Sequence, residues 1–172
     1  MHRLVEKLLN AFKLSFPHSD DFEIELFSDL TDSDKVKLAR VCHKKSFKRD
    51  EEIYHQGQPA EAVYFLLHGS VGIYQQEQGG VPHRVRYVTP YGVIGAAALF
   101  TDAPRDCSAK ALEDSSTLPL LRSDFRELCD TNPALALKLL LIVGAELNSA
   151  LETMEKEYMS LVSRLTRANI VV

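Results

Sequence analysis

The sequence predicts a mainly β protein of the α+β class, an eight-stranded β jelly-roll barrel with N-terminal helices and a long C-terminal helix. Between residues 46 and 121, short runs rich in Val, Ile, Tyr and Phe alternate with turns that contain Gly, Pro and Asp. Short strands at such regular spacing are typical of small antiparallel barrels. Apolar residues at helical spacing come before and after this region, and a chain of 172 residues is long enough to bury one core.

The composition argues against several classes of protein. The formal net charge is -4 and Lys and Arg form no cluster, so we expect no general attraction to nucleic acid or to an anionic membrane. Cys42, Cys107 and Cys129 lie far apart and form no CxxC pair, which fits small core residues in a reducing compartment. No apolar run approaches the roughly 20 residues of a membrane span. We therefore expect a cytoplasmic protein that makes no membrane contact.

Two helices are predicted before the strands. Within residues 1–24, one helical face collects the apolar side chains Leu4, Val5, Leu8, Leu9 and Phe12. The stretch SFPHSD then ends this amphipathic helix and forms a linker. Thr31 and Asp34 have the spacing of a capping box, so a second helix begins near Thr31. It belongs to the predicted barrel domain, residues 25–132.

Residues 133–172 are predicted to form one long helix, which Asn132 and Pro133 open. Further along, apolar residues recur in alternating steps of four and three, as in a two-stranded coiled coil. This seam consists of Leu140, Gly144, Leu147, Leu151, Met154, Tyr158, Leu161 and Leu165. We expect the seam to join two copies of the chain as a parallel homodimer, with Gly144 allowing close approach. The first half of the helix is expected to lie against the barrel through Leu137, Leu139, Leu141 and Val143.

Two segments resemble a known family. The first reads EEIYHQGQPAEAVYFLLHGSVGIY, with matching residues at Ile53, Gly57, Tyr64, Leu66, Gly69 and Val71. The second, residues 91–110, reads YGVIGAAALFTDAPRDCSAK and is called the cassette below. Both resemble the cyclic nucleotide-binding domains of catabolite-activator-type regulators, kinase regulatory subunits and gated channels, over roughly residues 25–150. The resemblance implies the same barrel and a regulatory role without catalysis.

The resemblance also implies a ligand-binding role for six cassette residues, Gly95, Ala96, Ala97, Arg105, Asp106 and Ser108. Backbone N–H groups at Gly95 and its neighbours would point at a phosphate. Arg105 would neutralise that phosphate, because its planar guanidinium can donate to two oxygens at once. Ser108 stands at a hydroxyl position that can touch the purine in family members. The candidate small-molecule ligand is therefore cyclic AMP (cAMP) or cyclic GMP (cGMP).

Two cassette residues depart from the family pattern. Ala96 stands at a position where the family pattern that this segment resembles has a Glu. The carboxylate of that Glu accepts a hydrogen bond from the ribose 2′-hydroxyl. A hydrogen bond to a charged group contributes roughly 1.5 to 3 kcal/mol, so we expect an affinity lower by about tenfold to a hundredfold. Asp106 stands where the family usually has a small neutral residue. Its carboxylate either points outward, or it repels the ligand's charge or pairs with Arg105.

Other functional classes have little support in the sequence. The six histidines are dispersed, without an HExxH motif, and three separate cysteines cannot hold an iron–sulfur cluster, so we expect no metal and no cofactor. No GxSxG or phosphate-binding P-loop motif indicates an enzyme. Only a few residues follow Leu165, so we expect no helix-turn-helix DNA-binding domain in this chain.

These observations predict a non-enzymatic regulatory module that acts as a dimer in signal transduction, with weakened or lost binding of cAMP and cGMP. Two alternatives stay open. In one, the domain is a receptor for a cyclic nucleotide or for a less polar ligand, against which alanines form a better wall than a Glu. In the other, it is a dimeric interaction scaffold with an empty pocket.

Overall fold

A computed structural model describes residues 25–77 and 79–167. Eight strands form two four-stranded antiparallel sheets, with the orders β1-β8-β3-β6 and β2-β7-β4-β5. The strands are β1 (Lys45–Phe47), β2 (Glu52–Tyr54), β3 (Ala62–His68), β4 (Val71–Gln75), β5 (His83–Val88), β6 (Val93–Ile94), β7 (Ser108–Ala111) and β8 (Ser115–Leu121). The predicted eight-stranded barrel is confirmed.

The centre of the barrel lies between β3 and β8, which pair along most of their length. Phe65 of β3 lies opposite Leu118 of β8 in the register, and both side chains are fully buried. The edge strand β5 is different, because Val85 and Tyr87 are exposed there. The apolar core has two parts. Phe65 and Leu118 belong to a cluster shared with the helices, and a second cluster, which includes Leu66, lies among the strands of both sheets.

Helices surround the sheets on one side. A short 3₁₀ turn (Glu25–Phe27) precedes α1 (Asp32–Val41), and α2 (Arg122–Thr131) and α3 (Pro133–Arg167) follow β8. The Thr31–Asp34 capping box at the start of α1 is confirmed, with hydrogen bonds in both directions. α3 begins at Pro133 as predicted, and the Asn132 carbonyl accepts from the N–H groups of Leu135 and Ala136.

α2 begins at Arg122, and Leu121 occupies the N-cap position without a side-chain hydrogen bond. The Ser123 hydroxyl, a group of the kind that often caps a helix, does not cap this one. The Ser123 hydroxyl instead lies 3.2 Å from the carboxylate of Asp124. The chain thus passes directly from β8 into α2, with no loop between them.

The first half of α3 packs on α2 and on the barrel. Leu139 and Val143 are fully buried, as predicted. The prediction was wrong for Leu137 and Leu141, which are exposed because they lie on the opposite face of the helix. The ammonium group of Lys138 lies 2.7 Å from the Asp34 carboxylate and so ties α3 to the capping box of α1.

The second half of α3 extends beyond the barrel. Its seam residues from Leu147 to Leu161 are exposed, so they are available to a partner helix. By length and composition this helix is also apolar enough to cross a membrane, with a mean hydropathy of 1.7 over an 18-residue window. We had expected no such segment. Since core helices of water-soluble proteins meet the same criterion, this property gives only weak support for a membrane contact.

Some sequence predictions stay untested. The predicted amphipathic helix and linker of residues 1–24 lie outside the described residues. The division of the chain into residues 1–24, 25–132 and 133–172 stays a prediction. Among the cysteines, Cys42 is buried as expected of a core residue, Cys107 is partly buried, and Cys129 is exposed on α2.

Candidate functional site

The cassette connects the two sheets. It leaves the first sheet at the end of β6, turns at Gly95, forms a 3₁₀ helix (Ala96–Leu99) and enters the second sheet at β7. Gly95 has a φ of 69°, in the left-handed region that favours glycine. An isolated bridge between Pro59 and Pro104 holds the returning chain beside the start of β3. The cassette therefore folds back so that Arg105 lies beside Gly95.

Arg105 is the buried charged group of this loop, with only 6% of its surface exposed. Its guanidinium donates through Nη1 to the Gly95 carbonyl at 3.0 Å and through Nη2 to the Ala62 carbonyl at 2.5 Å. The Cζ atom lies 4.0 Å from the centroid of the Tyr54 ring, a cation–π contact. Cassette, β3 and β2 together fix the orientation of this side chain.

The charge of Arg105 has no counterion in the described part of the chain. No carboxylate there forms an ion pair with it, and its Nε has no hydrogen-bond partner. A guanidinium has five N–H donors, of which two are used here. Because a buried charge without a partner is costly, this arrangement has the capacity to bind an anion.

A cavity of about 580 Å³ lies beside Arg105. Its volume falls within the range of small-molecule sites. Strands β4 and β5, the cassette and α3 form its walls, and many of its lining groups are apolar, among them Ala60, Ala96, Ala97, Ala103, Leu147 and Leu151. The Ala96 methyl group lines the wall where the resemblance implies a carboxylate, so the cavity beside Arg105 is less polar than the family pattern.

Asp106 lies at the exposed side of this cavity. It forms no ion pair with Arg105 in the structure, and its carboxylate instead interacts with the neighbouring thiol of Cys107. Burial, together with the hydrogen bond and the negative charge of Asp106, raises the pKa of Cys107 to about 11. Cys107 is therefore protonated at neutral pH and is not a reactive thiolate.

Ser108 lies apart from the other predicted site residues. Its hydroxyl accepts a hydrogen bond of 2.9 Å from the backbone N–H of Gln56. The amide side chain of Gln56 makes two further bonds of 3.0 Å each with the backbone of Gln76. Ser108 thus secures the junction of β2 with β7 and is not among the residues that line the cavity.

Several polar residues of the cavity were not predicted from the sequence, among them Tyr54, Arg86 and Glu146. Tyr54 stacks on Arg105, and burial raises the pKa of its hydroxyl. Arg86 of β5 donates to the Val93 carbonyl at 3.1 Å and faces the cavity. Glu146 reaches the cavity from α3. These groups come from elements distant along the chain, and no local motif marks them.

Within the described residues, no group of three or more His, Cys, Asp and Glu side chains could hold a metal ion. The polar groups of the cavity include an uncompensated guanidinium, a second arginine, two carboxylates, a protonated thiol and the hydroxyl of Tyr54. Such a set can bind and orient a charged ligand.

The family follows from the comparison with known proteins. The model of the cyclic nucleotide-binding domain matches residues 44–132, just over half of the 172-residue chain. The chain belongs to the cyclic nucleotide-binding domain family. The matched range includes all eight strands and the cassette.

Relatives within this family are diverse. The chain is 26% identical to the cyclic AMP receptor protein of Thermus thermophilus over 125 residues, which are 73% of this chain and 58% of that protein. It is also 26% identical to a cyclic nucleotide-gated potassium channel of Mesorhizobium japonicum, covering 66% of this chain and 30% of the channel. The chain thus spans less than two thirds of the length of these relatives.

Solved structures agree with this assignment. The N-terminal domain of a transcriptional regulator from Streptomyces coelicolor superposes with a TM-score of 0.61 at 26% identity, covering 73% of this chain and 89% of that one. A cyclic nucleotide-binding domain from Methylobacillus flagellatus gives a TM-score of 0.72 at 18% identity, covering 92% and 84%. The second likeness concerns the fold alone.

Proposed function

We propose that this protein is a non-enzymatic, cytoplasmic sensor domain that binds an anionic ligand at Arg105 and transmits its presence through α3. The observation that supports this proposal is the buried guanidinium of Arg105, which borders a cavity and has no counterion among the described residues. The same six cassette residues, Gly95, Ala96, Ala97, Arg105, Asp106 and Ser108, constitute the proposed site. Five of them line the cavity, and Ser108 supports the strand beneath it.

Binding of cAMP and cGMP is weakened in this proposal. The Ala96 methyl group lines the cavity but cannot accept a hydrogen bond from a ribose hydroxyl. This loss lowers the affinity for a cyclic nucleotide by about tenfold to a hundredfold relative to a site with a Glu. Asp106, being exposed and unpaired with Arg105, leaves the guanidinium available and adds only a solvent-screened repulsion.

α3 connects the cavity to dimerisation. Leu147, Leu151 and Met154 line the cavity and also belong to the seam that we expect to join two copies. A ligand that contacts these side chains favours one position of the helix over another, and so changes the pairing of the two copies. In the alternative function, an interaction scaffold, the exposed seam alone is used and the cavity stays empty.

The test is a titration of the unmodified chain with cAMP and cGMP, followed by the same titration of Ala96→Glu. We expect weak or undetectable stabilisation of the unmodified chain and at least tenfold tighter cAMP binding by the variant, because position 96 borders the cavity. A ligand at a hundred times its dissociation constant raises the free energy of unfolding by about 2.7 kcal/mol, which thermal melting detects readily.

Phe100→Glu is the matched control, since it adds the same charge at an exposed position of the cassette that does not border the cavity. It should not gain cAMP affinity. Nanomolar cAMP binding by the unmodified chain would contradict the weakened site. Failure of Ala96→Glu to bind, in a variant that melts like the unmodified chain, would favour the scaffold.

A further inference from the structure

We infer that the ligand of this cavity is an amphipathic organic monoanion, with a carboxylate head at Arg105 and an apolar body between the cassette alanines and α3. This inference rests on the proposed anion-sensing function and names the ligand's chemical class. The inferred ligand differs from a cyclic nucleotide in the part that contacts Ala96. That part is a hydrocarbon in the inferred ligand and a hydroxylated sugar in a cyclic nucleotide.

The walls of the cavity supply the first argument. On the cassette side, Ala96, Ala97 and Ala103 border the same cavity as Arg105. A sugar hydroxyl against this wall would lose its hydrogen bonds to water and gain none, whereas a hydrocarbon surface loses nothing. On the helix side, Leu151 and Met154 are 55% and 58% exposed in the single chain, so an apolar ligand would remove from water whatever part of this surface the partner helix leaves uncovered.

The charges supply the second argument. Arg86 already donates to the Val93 carbonyl, while Nε of Arg105 lacks a partner. The carboxylates of Asp106 and Glu146 border the same cavity, so the four charged groups sum to zero before a ligand binds. One negative charge at Arg105 would pair with a guanidinium that has no counterion among the described residues, whereas a second negative charge would only add repulsion from the two carboxylates that border the cavity.

The experiment is isothermal calorimetry of the unmodified chain with hexanoate, octanoate and decanoate, the last kept below its micelle-forming concentration. Each added methylene should tighten binding about fourfold if the body lies in an apolar cavity. Octanol is the matched probe without the charge, and it should bind at least tenfold more weakly than octanoate. This comparison tests the head group without altering Arg105, whose replacement would also remove hydrogen bonds to the Gly95 and Ala62 carbonyls.

A pair of variants locates the apolar body. Leu151→Gln should weaken octanoate binding about tenfold, because Leu151 lines the cavity. Leu137→Gln is the control, since Leu137 is equally exposed on the same helix but does not border the cavity. It should bind octanoate like the unmodified chain. Sedimentation of each variant shows whether a change in oligomeric state accompanies the change in binding.

The outcomes distinguish a failure of the inferred ligand class from a failure of the proposed anion-sensing function. Equal affinities for octanol and octanoate, or equal effects of the two variants, would overturn the inferred ligand class. Tighter binding of cAMP than of decanoate would also overturn it, but would leave an anion sensor in place. If neither the carboxylates nor the cyclic nucleotides bind, both the anion sensor and the inferred ligand class fail.

Discussion

The guanidinium of Arg105 occupies the space that a Cβ atom on Gly95 would need. A Cβ built at Gly95 would collide with Nη1 of Arg105 and lie 3.1 Å from its Cζ, with the Tyr54 ring 3.3 Å away. A glycine at position 95 is therefore favoured for two reasons. The residue adopts a left-handed backbone conformation, and it leaves room for the Arg105 side chain, which donates a hydrogen bond to the Gly95 carbonyl. The position of the anion-binding group depends on a missing side chain.

Gly95→Ala should destabilise the protein by about 2 to 4 kcal/mol, combining the strain of a positive φ with the displacement of Arg105. Gly57→Ala is the matched control, because Gly57 has a φ of 85° but no atom within 4 Å of the added Cβ. It should cost only about 1 kcal/mol. Urea unfolding of both variants measures the difference. Equal losses would show that the contact with Arg105 contributes nothing.

Arg122 ties the cassette to the start of α2. Its Nε donates to the Ala98 carbonyl at 2.5 Å, and its other nitrogens contact the Ala60 carbonyl and the Asp102 carboxylate. Arg122→Met should destabilise the protein by about 2 to 3 kcal/mol and speed hydrogen exchange in the cassette, because two carbonyls lose a charged donor.

Arg126 provides the comparison for Arg122. It lies one helical turn further along α2, is largely exposed and only approaches Asp102, at 3.8 Å. Arg126→Met should therefore leave the unfolding midpoint and the exchange rates nearly unchanged. If hydrogen exchange in the cassette were equally fast in both variants, the link between α2 and the cassette would be of no consequence for stability.

Local sequence chemistry was enough to predict much of this fold. Strand number follows from short β-favouring runs and their turns, and the start of α1 from the spacing of Thr31 and Asp34. These signals reside in consecutive residues. The site was only partly predictable, because Arg105 stands in a recognisable motif whereas Tyr54, Arg86 and Glu146 reach the same cavity from three other elements.

The exposure of Leu137 and Leu141 shows a second limit of local patterns. Apolar side chains on both faces of the first half of α3 give no indication of which face meets the barrel. The choice is made by the tertiary structure, in which Lys138 pairs with Asp34 and turns Leu139 inward. Similarly, the motif predicts that the Ser108 hydroxyl contacts a ligand. In the structure, this hydroxyl instead accepts a hydrogen bond from the backbone N–H of Gln56.

The Lys138–Asp34 pair should make stability depend on pH in the acidic range. Burial raises the pKa of Asp34, but the hydrogen bonds from Lys138 and Thr31 outweigh it and lower the pKa below its usual 3.8. A group with a lowered folded-state pKa contributes stability that is present above its unfolded value and is lost as the pH falls through the folded value. Lys138→Met should thus cost about 1 kcal/mol at pH 6, and this cost should shrink below about pH 4.

The exposed pair of Lys48 and Asp114 is the control for this pH dependence. Its nitrogen and oxygen lie 2.8 Å apart, but both side chains are mostly in solvent. Lys48→Met should therefore change stability much less than Lys138→Met at pH 6. Chemical unfolding of the three proteins between pH 3 and pH 7 decides the matter. A cost of Lys138→Met that stays constant over this range would mean that Asp34 is not the group concerned.

The apolar seam of α3 predicts a dimer that one charged residue can dissociate. Leu161 is a seam position and is exposed in the single chain, so Leu161→Asp places two carboxylates in the interface of the two copies. Losing the burial of two leucines costs about 3 kcal/mol or more, which raises the dimer dissociation constant at least about a hundredfold.

Met159→Asp adds the same charge to a similarly exposed position off the seam and should leave the dimer intact. Sedimentation velocity at micromolar concentration distinguishes them, and a monomeric unmodified chain, or two variants that dissociate alike, would show that the seam does not join two copies.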